Sequence, residues 1–260
     1  MERRRRRKEK QSDSILDVSQ LKTLKSNIEL RNRELDAVEH RSRDAPPYHV
    51  TDVGAFSKIR DATFFPKQKH REVVRTGVDA TGNCFYNSIF AAAYPHLFYH
   101  NTRITKKERA QIFRQFFARE MKKKSTIRAW KKFWRDRKIN LKRVPEAEEI
   151  RRQLSNPKEW ANIYTIMWVI HKMNLNLLVF DFQENMLFCG THNTAPGRPT
   201  VIMAWINRSH FEPIAEFDSR SKRLRTLFSE RADSTVLKNL LKLYREQGCP
   251  QKSLHKLLPH

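Results

Sequence analysis

VDATGNCFYNSIF, residues 78–90, is the stretch on which the reading of this chain turns. Gly82 and Asn83 stand directly before Cys84, and an apolar, aromatic run follows, in a chain of 260 residues with only six glycines. Phe85, Ile89, Phe90 and Ala93 recur at helical spacing, which puts Cys84 in the first turn of a helix. Two readings of Cys84 follow. A small buried cysteine packs well under an apolar helix and needs no further role. A nucleophilic cysteine needs its thiolate favoured, and a helix N-terminus does this through free backbone N–H groups and the dipole. The same N–H groups, in the Gly82–Asn83 loop, suit a developing oxyanion.

The nucleophile reading demands an imidazole held by a third polar group. Of ten histidines, His210 has the best surroundings. It follows the strand-like run VIMAWI and the polar step NRS, with Glu212 two residues on. Residues two apart on an extended backbone project to one side, so Glu212 can approach the His210 ring. Taken singly, Cys84 and His210 are each explained by packing or exposure; together they form a testable pair.

Composition bounds the rest. Lys and Arg number 52 against 28 Asp and Glu, a formal net charge of +24. Such an excess predicts attraction to polyanions, whether nucleic acid, anionic lipid or an acidic protein face. Cys84, Cys189 and Cys249 are far apart and form no CxxC pair, which argues against a disulfide framework or a cysteine-rich zinc site and for an intracellular setting. No apolar run approaches the ~20 residues that span a bilayer, and the charged start MERRRRRKEKQSD has no apolar segment behind it. The reading calls for no cofactor or metal.

Along the chain, residues 1–13 read as a disordered basic arm. Residues 14–45 read as an amphipathic helix, with Leu21, Ile28 and Leu35 in one seam, and a linker ended by Pro46-Pro47. In NTRITKKERAQIFRQFFAREMKKK (101–124), Thr105 and Glu108 fit a capping box, and Ile112, Phe113, Phe116, Phe117 and Met121 trace one face. Residues 103–143 hold seventeen Lys and Arg against three acids, with Trp130, Phe133 and Trp134 among them. Such a segment is either a helix that buries its aromatics while its basic residues face water or a nucleic-acid surface. A helix starting at Pro145 and a more apolar one over NPKEWANIYTIMWVIHKMN, running to about Lys172, are expected next. Strands in LNLLVFDF, LFCG and TVIMAWI follow, then a helix from about Asp233 to Gln247.

These segments carry a family resemblance. DATGNCFYNSIFAA resembles the nucleophile segment of ovarian-tumour (OTU) cysteine proteases: Asp, Gly, Asn, Cys, an aromatic or Leu, then a helix. VIMAWINRSHFEPI resembles the family's histidine segment, and WANIYTIMWVIHKMNLNLLVFD is similar to its Trp-led helix and apolar strand. The resemblance covers about residues 70–218, with 103–143 as a basic helical insertion and 219–260 as a helical extension; such embellished forms resemble OTU-like proteins of large DNA viruses. It implies an α/β, papain-like fold with a small central sheet flanked by helices, and cleavage of isopeptide bonds to ubiquitin or a ubiquitin-like protein. It implies Cys84 as nucleophile, His210 as general base and Glu212 as orienting group. The family's Asp three residues before the cysteine is here Thr81; either the loop is longer and Asp79 shapes it, or this part of the site is altered. The alternative function is an inactive OTU scaffold that binds nucleic acid through the arm and the 103–143 stretch, or that is packaged in a virion. The expected setting is intracellular: the host cytoplasm or nucleus for a viral chain, or the virion.

Overall fold

A computed structural model describes residues 57–58, 65, 69–78, 80–93, 95, 98, 105–135, 144–183, 186–189, 198–207, 209–220, 223–228 and 235–247. The basic arm, the 14–45 helix and linker, Asp79, residues 103–104 and 136–143, the Cys189 side chain and Cys249 lie outside the described residues.

Eight strands form one mixed sheet: β1 (Ser57–Lys58), β2 (Arg71–Arg75), β3 (Asn176–Asp181), β4 (Met186–Cys189), β5 (Thr200–Ile206), β6 (His210–Asp218), β7 (Arg223–Arg225) and β8 (Leu227–Phe228). Their order is β1-β2-β6-β5-β3-β4, with β7 on β6 and β8 on β5. Among the described residues only β3 and β5 pair in parallel, Leu177 beside Val201 and Val179 beside Met203. Both strands are apolar on both faces, as strands covered on two sides must be. Alternation then divides them: Leu177, Val179, Val201, Met203 and Trp205 enter one core, and Leu178, Phe180, Ile202 and Ala204 the other.

The larger core is covered by α1 (Cys84–Ala93), α2 (Lys106–Glu120), α3 (Lys124–Arg135), α4 (Ala147–Ser155) and α5 (Ile163–Lys172). The smaller is covered by Val236, Leu237 and Leu240 of α6 (Thr235–Gln247). The molecule is thus a mixed α/β sheet flanked by helices, as expected.

The 103–143 stretch builds its described part from amphipathic helices. α2 starts at the expected capping box, Glu108 N–H donating to Thr105 Oγ1 (3.2 Å) and Thr105 N–H to Glu108 Oε2 (3.0 Å). Phe113, Phe117 and Met121 are buried, whereas Lys122, Lys123 and Lys124 are exposed. In α3, Trp130, Phe133 and Trp134 turn inward, Trp130 and Phe133 onto Trp168 and Trp134 onto Tyr164, the Trp130 and Trp168 centroids standing 5.1 Å apart.

Two expectations fail locally. The helix expected at Pro145 begins at Ala147, after the extended Glu146. Trp130 Nε1 donates to the Pro145 carbonyl (3.0 Å), which ties that residue to α3 instead. Trp160 is not a buried helix start: it is 48% exposed. Asn162 and Thr165 form a reciprocal capping box that starts α5 at Ile163 and leaves Trp160 in the preceding loop.

Candidate active site

α1 crosses the beginning of β6. Ser88 Oγ donates to the Phe211 carbonyl (2.9 Å), and the Phe85 and Phe211 rings meet edge-on at 5.8 Å. These contacts fix the first turn of α1 over the β5–β6 hairpin, where Asn207 takes a positive φ of 50°. Cys84 opens the helix, 1% exposed, its sulfur 3.9 Å from the Ser209 carbonyl oxygen.

His210 opens β6 beside it. Its Nε2 stands 3.3 Å from Glu212 Oε1, and both side chains are 14% exposed. The other Glu212 oxygen receives Arg75 Nη1 at 3.1 Å. Arg75 comes from β2, paired opposite Ile214, and so reaches diagonally to Glu212. The sequence gives no sign of this third member, because the partner sits on a strand 137 residues away whose register only the folded sheet sets.

The neighbouring Cys84 sulfur, then Glu212, raise the His210 pKa from 6.5 to about 9, against the opposing effect of burial. Nδ1 of His210 is buried and makes no hydrogen bond of standard geometry. Interaction with the Cys84 side chain is thus the largest raising influence on the ring, although Nδ1 makes no well-formed hydrogen bond, as is common for catalytic groups before substrate binds.

The loop before the helix departs from expectation. The Cys84 N–H donates to the Thr81 carbonyl (2.9 Å), and the Asn83 N–H to Thr81 Oγ1 (3.3 Å). Both donors expected to be free are engaged, since Thr81 folds back into a tight turn over them. Glycine suits Gly82's place there: a Cβ would lie a tight 3.1 Å from the Lys158 carbonyl oxygen. Asp79, the other candidate for shaping this loop, lies outside the described residues.

A second buried cation borders the loop. Arg114 of α2, 1% exposed, places Nη1 at 2.9 Å from Asn83 Oδ1 and 3.4 Å from the Gly82 carbonyl oxygen. It shares the buried face of α2 with Ala110, Phe113 and Phe117, but helical spacing does not tell which carbonyls it holds. A cavity of ≈ 510 Å³ lies at the far end of β6, lined by Arg71, Glu216, Asp218 and Arg225 and by none of these site residues. No cluster of metal-ligating residues occurs among the described residues.

No family model matches the chain, and no curated protein matches it. Among solved structures it is similar to an ovarian-tumour (OTU) domain in complex with ubiquitin, at 10% identity over 68% of this chain and 90% of that one, with a TM-score of 0.44. It is also similar to the viral OTU domain protease from Dera Ghazi Khan virus, at 11% identity over 65% and 97% of the two chains and a TM-score of 0.38. The Hazara virus OTU bound to ubiquitin matches at 11% identity over 62% and 93%, with a TM-score of 0.35.

Proposed function

We propose that the chain is a thiol hydrolase that cleaves isopeptide bonds to ubiquitin or a ubiquitin-like protein, with Cys84 as nucleophile, His210 as general base and Glu212 as orienting group. One observation carries the chemistry: a cysteine at a helix mouth beside an imidazole that is gripped at Nε2 by a carboxylate and raised to about 9. Glu212 on Nε2 turns the other nitrogen, Nδ1, to the work of taking the thiol proton. The sulfur then attacks the carbonyl carbon, and the imidazolium returns the proton to the leaving amine. Water, deprotonated by the same ring, releases the acyl group from sulfur. Thr81 has to release the Asn83 and Cys84 N–H groups if they are to bind the oxyanion. The substrate half of the proposal comes from the resemblance of residues 70–218, and the intracellular, viral setting read from the sequence belongs with it.

A ubiquitin probe bearing a C-terminal electrophile tests it. The expected result is a single adduct on Cys84, absent from Cys84→Ala. Folded wild-type protein that stays unlabelled, or labelling that survives Cys84→Ala, overturns it.

A second, compatible reading is favoured by the outward cations of α3 and of the turn before it, with Lys122, Lys123, Lys124, Lys131 and Lys132 all exposed: a polyanion-binding face separate from the thiol. Its signature is an affinity for DNA or RNA that falls by orders of magnitude between about 50 and 200 mM salt. A salt-insensitive affinity removes it.

A further inference from the structure

We infer that Arg114 is a positioning residue for the cysteine loop, a clamp that joins Gly82 and Asn83 to the 153–159 turn and thereby sets which way the loop's N–H groups face. The inference rests on the thiol-hydrolase reading above. Besides Asn83 Oδ1 and Gly82 O, the guanidinium donates to the carbonyls of Leu154 (3.1 Å), Gln153 (2.7 Å), Glu159 (2.8 Å) and Asn156. It also lies 4.4 Å from the centre of the Tyr86 ring.

None of the six oxygens carries a formal charge. With Glu159 acting only through space and no carboxylate among its acceptors, the buried guanidinium loses hydration that neutral oxygens replace only when every donor is used. Burial accordingly lowers the Arg114 pKa. So costly a side chain is explained by geometry: a planar fork with five donors can hold two loops at once, as a lysine or a neutral residue cannot. Two of the acceptors, Gln153 and Leu154, belong to the last turn of α4, where a cation is favoured. That accounts for one half of the clamp.

The other half points at the thiol. Because the peptide is trans, a Gly82 carbonyl turned toward Arg114 sends the Asn83 N–H to the opposite side. That N–H now rests on Thr81 Oγ1. The near approach of Lys158 O to Gly82 shows that the two loops already touch, so the clamp holds them with little room to shift. Arg114 touches neither sulfur nor imidazole; it acts through the loop.

The test separates chemistry that builds an oxyanion from chemistry that does not. p-Nitrophenyl acetate acylates the thiolate: the C–S bond forms through a tetrahedral oxyanion, the C–O bond breaks and p-nitrophenolate leaves. Iodoacetamide alkylates the same sulfur by displacing iodide at a saturated carbon, with no oxyanion. Rates are taken on folded protein, less the Cys84→Ala background. Arg114→Met and Asn83→Ala are expected to slow acylation by about tenfold or more while alkylation changes by less than about threefold. Arg114→Lys, keeping charge without the fork, is expected to recover only part of the loss. Acylation and alkylation that fall in parallel, or neither falling, overturn the inference, as does a wild-type thiol that is alkylated but never acylated. If Arg114→Met does not fold, the rate ratio in Asn83→Ala, which cuts only the side-chain link to the loop, decides. Wild-type protein that is acylated by the ester yet ignores the ubiquitin probe removes the substrate reading, while the ratio still judges Arg114.

Discussion

The wall formed by α1 and β6 and the pair formed by α2 and α3 use charge in opposite ways. At the wall, Arg75, Glu212 and His210 line up in contact, largely shielded from water. On the basic helices, Lys124, Arg128, Lys131, Lys132 and Arg135 all face solvent while Trp130, Phe133 and Trp134 face the core. The first arrangement fixes protonation and geometry at one spot. The second leaves each cation replaceable and makes only their sum matter. Arg114 is where the two meet: it belongs by sequence to the basic region and by contact to the wall.

The widest gap between the regions is expected in turnover. Cys84→Ala and His210→Ala are each expected to lower ubiquitin cleavage by about a thousandfold or more, measured with a fluorogenic ubiquitin amide on protein of unchanged circular dichroism. Next is packing beneath the cations. Trp130 is 1% exposed and bonded to Pro145 O, so Trp130→Ala is expected to cost about 3–5 kcal/mol in urea unfolding. A value near zero would mean that α3 is not held by its aromatic face.

Glu212→Gln comes third, with an expected loss of about 10- to 100-fold in kcat, because the imidazole keeps a neutral partner but loses the charge that favours its protonated form. The His210 titration sharpens this point. Cys84 is its largest raising influence and Glu212 the next, so the NMR-observed pKa is expected to fall further in Cys84→Ala than in Glu212→Gln. The same shift fixes a stability trend. A histidine raised from 6.5 to about 9 by folding stabilises the fold fully below pH 6.5, and this contribution is lost as pH rises through 9. His210→Gln is expected to flatten that slope. The smallest effect is expected from Lys131→Gln with Lys132→Gln, within about 0.5 kcal/mol in stability, though each is expected to reduce the salt dependence of any polyanion binding.

Much of this is legible in the sequence. Glu212 two residues from His210 needs only an extended backbone, and the Thr105–Glu108 cap needs only one turn of helix; both are short-range geometry. The apolar runs LNLLVFDF and TVIMAWI marked β3 and β5 as strands. Trp160 misled because an indole beside an apolar helix usually packs, and the side-chain bonds of Asn162 and Thr165 that shorten the helix outweigh that tendency.

By itself the sequence determined the sheet's central strands, the helix behind Cys84, the amphipathic split of the basic segment and the pairing of His210 with Glu212, all set by periodicities of two or 3.6 residues. The tertiary structure alone decided that Arg75 completes that pair, that Thr81 occupies the loop's N–H groups, and that Arg114 leaves the surface to hold Gly82 and Asn83. These are contacts between segments far apart in the chain, or directions of single peptide groups. An arginine facing water and one buried among six oxygens look the same in a one-dimensional string, because only packing determines which carbonyls have no other donor.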